Sequence, residues 1–222
     1  MNAISPVSSR VPYMVGQGNH EQDWYNTETI GSGQGPELGR DSGGECGVPT
    51  SARFKMPSSP TAAASRRRHL KKQFHDDPFW YSFDAGPVHF VMANTELPLN
   101  PASQQWNWLV ADLEAVERDV TPWIVVMGHR PNFMEASIEA LLWQHGVDLT
   151  VAGHVHYAQR SCPLKAGSCM TPNVTGGYDG IIHLVAGNGG QALNNASQSG
   201  SATACKSSQL NRQPGFAHPG SQ

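Results

Sequence analysis

With 222 residues, 38% of them hydrophobic, the chain is long enough to enclose one core, and nothing in its length demands a second. A formal charge of -3 gives no bulk attraction to nucleic acid or an anionic membrane, and no stretch approaches the roughly eighteen apolar residues of a membrane span. Met1 to Ser5 has neither the basic start nor the apolar core of an export signal, and 23 Gly and 16 Pro point to a loop-rich globular protein.

Taken in order, residues 10–16 read as a short strand that delivers Gly16-Gln17-Gly18-Asn19-His20-Glu21 at its end. Strand-end loops are where open α/β sheets bind ligands, and the glycines let the backbone turn tightly enough to present Asn19 and His20. Residues 24–78 are polar and punctuated by Gly and Ser, as expected of a long insertion over the surface. Within it, Arg66-Arg67-Arg68-His69-Leu70-Lys71-Lys72 reads as a solvated face, with recruitment of an acidic partner as the alternative. Residues 79–84 and 88–95 are aromatic and β-branched runs around Ala85-Gly86-Pro87, which predicts an antiparallel hairpin.

Asn100 then reads as a helix cap with Pro101 at the first helical position, and Ala102, Trp106, Leu109, Leu113 and Val116 recur at helical steps. The continuous apolar run Trp123-Ile124-Val125-Val126-Met127 predicts a strand covered on both faces, ending in Gly128-His129-Arg130-Pro131. Ile138, Leu141 and Leu142 predict a short helix stopped by Gly146, and a strand follows that ends in Gly153-His154-Val155-His156. Residues 181–186 form one more strand, with His183 inside it; that residue and His89 read as core or rim residues. After Gln191 the chain is rich in Ser, Asn, Gln and Gly, the composition of a flexible tail. Strands alternating with helices place the fold in the α/β class.

Three strand ends thus offer Asn19-His20, His129 and His154-x-His156 along one edge. In extended chain, residues two apart share a face, so His154 and His156 are expected to aim both rings at one point. Imidazoles joined by an amide oxygen make a mixed N/O site suited to zinc, iron or manganese, and such a site is suited to phosphoester hydrolysis. Cys162 and Cys169 are close enough to close a small disulfide loop; Cys46 and Cys205 are left without an assigned pairing. Asn173-Val174-Thr175 and Asn195-Ala196-Ser197 are glycosylation sequons.

At Gly18-Asn19-His20-Glu21, Gly128-His129-Arg130-Pro131 and Gly153-His154-Val155-His156 the sequence resembles the metallophosphoesterase superfamily, specifically the purple acid phosphatases. Asp41-Ser42-Gly43-Gly44-Glu45-Cys46-Gly47-Val48-Pro49, Trp80-Tyr81-Ser82-Phe83, Gly86-Pro87-Val88-His89-Phe90 and Gly187-Asn188-Gly189-Gly190 support it. The resemblance implies that Asn19, His129 and His154 bind a divalent metal and His156 binds the iron of the purple enzymes. It implies a dinuclear centre of Fe with Zn, Mn or Fe, and in-line attack on small phosphate monoesters by a metal-bound hydroxide. His20 is then placed beside the substrate, and Arg130 either touches phosphate or holds its own turn. A secreted, extracellular or vacuolar location follows from the same likeness.

The same pattern requires an Asp-x-Gly motif and a Gly-Asp-x-x-Tyr motif ahead of Gly18, yet the residues before Gly18 contain no aspartate. The chain is therefore expected to be an incomplete metallophosphoesterase sandwich, mixed β-sheets flanked by helices with amino-terminal strands missing. On that reading residues 1–191 are the carboxyl-terminal part of a catalytic domain and 192–222 the tail. A parent acid phosphatase is the expected enzyme, this chain alone holding at most one divalent metal. A noncatalytic binding protein with a partial site stays open, as does a phosphodiesterase or nucleotide pyrophosphatase.

Overall fold

The computed structural model describes residues 4–21, 48–57 and 80–189. Asp41 to Gly47, Arg66 to Lys72, Cys205, Asn195 and the tail after Gln191 lie outside the described residues, as does most of 24–78.

Strands β1 (Tyr81–Ala85) and β2 (Val88–Met92) form the expected hairpin, paired from Tyr81↔Met92 to Ala85↔Val88. Gly86 at its tip has φ +58, a conformation closed to most side chains. β2 runs parallel to β3 (Trp123–Met127), and β3 parallel to β4 (Leu149–Ala152). Beyond β4 come β5 (Ala158–Arg160), the small hairpin β6 (Leu164–Lys165) and β7 (Ser168–Cys169), and β8 (Ile182–Ala186). β8 pairs parallel with β4, and the six-stranded mixed sheet has the order β1-β2-β3-β4-β8-β5. A disulfide joins Cys162 to Cys169, Cα–Cα 5.6 Å, across the β6–β7 hairpin, whose turn places Ala166 and Gly167 at positive φ.

Among the described residues the helices are α1 (Ser5–Ser8), α2 (Val48–Arg53), α3 (Gln104–Glu114) and α4 (Ala136–Gln144). α3 crosses from β2 to β3 and α4 from β3 to β4, so both crossovers step the same way and pack on one face. Trp108, Leu109 and Leu113 of α3 and Ile138, Leu141 and Leu142 of α4 share a core with Val91, Ile124, Val126 and Ala152. α4 stops at Gly146, φ +68, where Val147 N donates to Leu142 O and Gly146 N to Trp143 O, the two bonds of a left-handed helix stop.

Three expectations are corrected. Residues 10–16 form no strand; Pro12 lacks an N–H, Val15 N donates to Met56 Sδ (3.3 Å) and Val15 O accepts from the Tyr81 hydroxyl (2.8 Å), so side chains anchor the segment. The helix after Asn100 starts later than its capping sequence suggests. Asn100 Oδ1 accepts from Ala102 N (3.1 Å), which makes a turn through Pro101, and Ser103 is the cap, accepting from Trp106 N (3.1 Å). β3 is covered unequally on its two faces: Ile124 and Val126 are fully buried, while Trp123 is 54% exposed and Val125 and Met127 are half-buried. The same alternation runs through β4 and β8, so the row Phe90, Val125, Leu149, Ile182 lies on the less covered face.

Two buried histidines lie within the sheet. His183 bonds Thr150 Oγ1 through Nδ1 (2.7 Å), and burial lowers its pKa to about 4. His89 sits between Asp84 Oδ1 (2.7 Å) and Asp112 Oδ2 (3.1 Å), and Ser82 Oγ donates to Asp112. Burial opposes charge on His89, but hydrogen bonds and charges from Asp112 and Asp84 outweigh it, so its pKa is raised above 6.5. A raised folded value adds stability that is complete below the unfolded value and fades as pH climbs through the folded one. The melting-temperature gap between wild type and His89→Gln is therefore expected to be wider at about pH 5.5 than at about pH 8.5; a gap independent of pH would show that His89 gains no proton on folding.

Candidate metal centre

Because β2, β3, β4 and β8 are parallel, the segments leaving their carboxyl ends meet along one edge. His129 follows β3 by two residues, His154 follows β4 by two, and Asn94, Thr95 and Glu96 follow β2. The turn bearing Asn19 and His20 closes on itself: Gly18 N donates to Glu21 Oε2 (3.0 Å) and Glu21 N to Gly18 O (3.2 Å). Gly18 is needed for contact rather than flexibility, since a Cβ there would come within 2.9 Å of the His129 ring.

Three donor atoms converge. His129 Nε2 lies 2.6 Å from Asn19 Oδ1, His154 Nδ1 lies 3.0 Å from His129 Nε2, and His154 Nδ1 lies 3.3 Å from Asn19 Oδ1. Ligands about 2.1 Å from a common metal stand roughly 3.0–3.4 Å apart, so the two longer edges fit a metal and the short one is a hydrogen bond. Asn19, His129 and His154 could therefore hold one divalent ion as an N/N/O face once the short Asn19–His129 hydrogen bond opens. Among the described residues no group of three His, Cys, Asp or Glu converges as a metal site.

His129 is held at a pKa of about 4 by burial first, then by the charges of Arg130, His20 and His156. His154 is also lowered to about 4, by burial and then by Arg130, His129, His156 and His20. Both rings are therefore neutral in mild acid, the form that ligates a metal. His20 is exposed beside them, and His156 is half-buried and near enough to influence both rings. The guanidinium of Arg130 donates through Nε to both Glu96 carboxylate oxygens (2.8 Å), and its Nη1 lies 3.3 Å from His154 Nε2; a hydrogen bond there puts the ring proton on Nδ1, whereas metal at Nδ1 requires the other tautomer.

The expectation that His154 and His156 share one face of an extended strand is corrected. The strand ends at Ala152, and His154 takes φ +60 inside tight turns, Val155 N donating to Gly153 O (2.7 Å) and Tyr157 N to Val155 O (2.8 Å). A left-handed conformation costs a non-glycine residue about 1–2 kcal/mol. The turn is seated on Gly187, where a Cβ would overlap the Val155 carbonyl. Asp148 lies at the other end of β4, accepting from Ile124 N (2.8 Å), away from the histidines. Glu96 was not singled out by motif, although its place just past a predicted strand, the rule that exposed His129, also applied to it.

Both rings have folded pKa values below the unfolded 6.5, so they subtract stability as pH falls from that value toward about 4. Ring NMR of the metal-free chain is expected to keep His129 and His154 in neutral-imidazole positions until about pH 4–5. Titration near 6.5 would mean that the rings are not packed as described.

Residues 2–158 match the sequence model of the calcineurin-like phosphoesterases. The chain is 38% identical over 180 residues to "Probable inactive purple acid phosphatase 9" of Arabidopsis thaliana, covering 75% of this chain and 27% of that protein. It is 31% identical to "Nucleotide pyrophosphatase/phosphodiesterase" of Hordeum vulgare, covering 86% and 51% respectively. Purple acid phosphatase PPD1 from yellow lupin seeds (Lupinus luteus) superposes with a TM-score of 0.67 at 32% identity, over 87% of this chain and 34% of that one. The chain spans about half or less of the length of each of these three.

Proposed function

The chain belongs to the calcineurin-like phosphoesterase family and has purple acid phosphatases as relatives, and from that premise we propose that its site serves metal-dependent hydrolysis of phosphate monoesters. The observation that carries the proposal is the triangle of Asn19 Oδ1, His129 Nε2 and His154 Nδ1, with edges of 2.6–3.3 Å. These three residues are assigned to a divalent metal, and His156 to a second metal of a dinuclear centre, Fe with Zn, Mn or Fe. Metal bound there supplies a Lewis acid for a phosphoryl oxygen and lowers the pKa of coordinated water.

The chain's own residues do the rest. Exposed His20, next to Asn19 and close enough to influence both rings, is assigned to contact phosphate or to protonate the leaving oxygen. Arg130, ion-paired with Glu96 and with its backbone N–H bonded to Thr95 Oγ1, is assigned either to contact phosphate or to hold its own turn. The depressed histidine values support operation in mild acid, since the ligand set stays deprotonated there.

One observation favours a second reading, a noncatalytic protein with a partial metal site: the Arabidopsis relative is named inactive. The barley relative's name supports a third substrate class, phosphodiesters and nucleotide pyrophosphates. The purified 222-residue chain is expected to bind at most one zinc ion, weakly, and to hydrolyse p-nitrophenyl phosphate at near-background rate. Two tightly held metals per chain, with turnover abolished by His154→Ala, would contradict that expectation and favour a self-sufficient enzyme.

The disulfide and the first sequon support a secreted, extracellular or vacuolar protein. Asn173 is exposed, and its Oδ1 accepts from Thr175 N (3.0 Å), Thr175 Oγ1 (2.7 Å) and Gly177 N (2.9 Å), so the sequon lies in a turn at the surface. Secretory expression behind a leader is expected to give a product whose mass falls on N-glycosidase treatment, with the Asn173 share lost in Asn173→Gln; a product insensitive to the glycosidase refutes the assignment. Among the described residues no helix is long and apolar enough to cross a membrane.

A further inference from the structure

Residues 15–18 reach the triangle outside any strand, and each of them meets the sheet in turn. Val15 O accepts from the Tyr81 hydroxyl of β1 (2.8 Å). Gly16 lies on Met92 at the end of β2, where a Cβ would come within 2.5 Å of the sulfur. Gln17 Oε1 accepts from Asn94 Nδ2 (3.3 Å), and Gly18 rests on the His129 ring. Both polar anchors are themselves fixed. Tyr81 is 2% exposed, and burial pushes its pKa up to about 12, so the hydroxyl stays a donor. Asn94, fully buried, is clamped by Gln105 of α3 through its backbone N and O (2.7 and 2.9 Å), while its Oδ1 accepts from Glu96 N (3.0 Å). That last bond turns Nδ2 toward Gln17, two residues before Asn19.

We propose that Tyr81 and Asn94 are positioning residues for Asn19, docking residues 15–18 on the sheet so that Asn19 Oδ1 meets His129 and His154. The docking needs no metal; its bearing on function rests on reading the triangle as a metal site. A strand fixes the residue at its end through repeated backbone bonds to a neighbour, whereas no strand forms between residues 10 and 17. Side chains from β1 and from the loop after β2 take the place of that ladder. Asn19 supplies the one oxygen of the triangle, so its place decides whether a divalent ion meets a third donor. Asn19 Oδ1 can only accept, so in the metal-free chain His129 Nε2–H donates to it (2.6 Å). That ring proton reports directly whether Asn19 is in place.

The test uses the whole 222-residue chain, metal-free and with its histidines isotopically labelled for NMR, followed by titration with Co(II). At about pH 6 His129 is neutral and His89 carries both ring protons. Tyr81→Phe keeps the aromatic ring and removes only the hydroxyl. The expected result is loss of the slowly exchanging His129 Nε2 proton signal. The His89 Nε2 proton, bonded to buried Asp112 (3.1 Å), is retained as the sign of an intact fold. Co(II) affinity falls about 10-fold, the lower end of what outer residues contribute at metal sites. Retention of both signals in Tyr81→Phe overturns the proposal, as does a wild-type chain that shows the His89 signal without the His129 one. Unchanged Co(II) affinity in a variant that has lost the His129 signal overturns the positioning role. If Tyr81→Phe loses both signals, Gln17→Leu, which cuts the Asn94 bond from the segment's own side, is scored in the same way. Loss of both signals there too overturns the proposal, because the segment then holds the fold rather than Asn19. A wild-type chain with both signals that binds no Co(II) overturns the metal reading alone.

Discussion

Parallel pairing of β2, β3, β4 and β8 is the constraint on which the rest of the structure depends. Strands that point the same way release their following loops along one edge, and the crossovers must return through helices on the sheet face. The register of Val91, Val126, Thr150 and His183 sets that edge in line. His129 and His154, just past β3 and β4, thereby come within 3.0 Å, and Asn19, on a segment outside the sheet, lies 3.3 Å from His154.

Close approach at that edge is obtained with rigid parts. Gly18 lets the first turn lie against the His129 ring, Gly128 lets the backbone pass Thr95 and Phe133, and Gly187 receives the Val155 carbonyl. Rings buried among such neighbours pay to become charged, and the guanidinium of Arg130 adds to that cost. The same packing that brings the imidazoles together therefore keeps them in the form able to ligate. Electrostatics and sterics act here in one direction.

The sheet is unequal on its two sides. Beneath α3 and α4 the residues are fully buried, whereas the row Phe90, Val125, Leu149 and Ile182 is only half-covered. An apolar run such as Trp123 to Met127 records that both faces favour burial, but not how much cover each receives. Of the two polar insertions on the covered side, His89 is bonded at both ring nitrogens by aspartates, while His183 is bonded to Thr150 through Nδ1 and its Nε2 has no partner among the described residues.

The sequence by itself determined the hairpin around Gly86, the apolar strands, the glycine stop at Gly146 and the order of histidine-bearing strand ends, because each is written in local residue chemistry. It misjudged the segment 10–16 and the start of α3, where local propensity competes with partners far along the chain: Tyr81 and Met56 for Val15, and an Asn100 turn that consumes the apparent cap. Only the tertiary structure decided that His154 leaves the strand and turns left-handed to face Asn19 and His129, and that Arg130, paired with Glu96, lies against its other edge. The physical reason is that a ring's direction depends on backbone turns and on contacts across the sheet edge. Spacing of i, i+2 along a sequence carries neither.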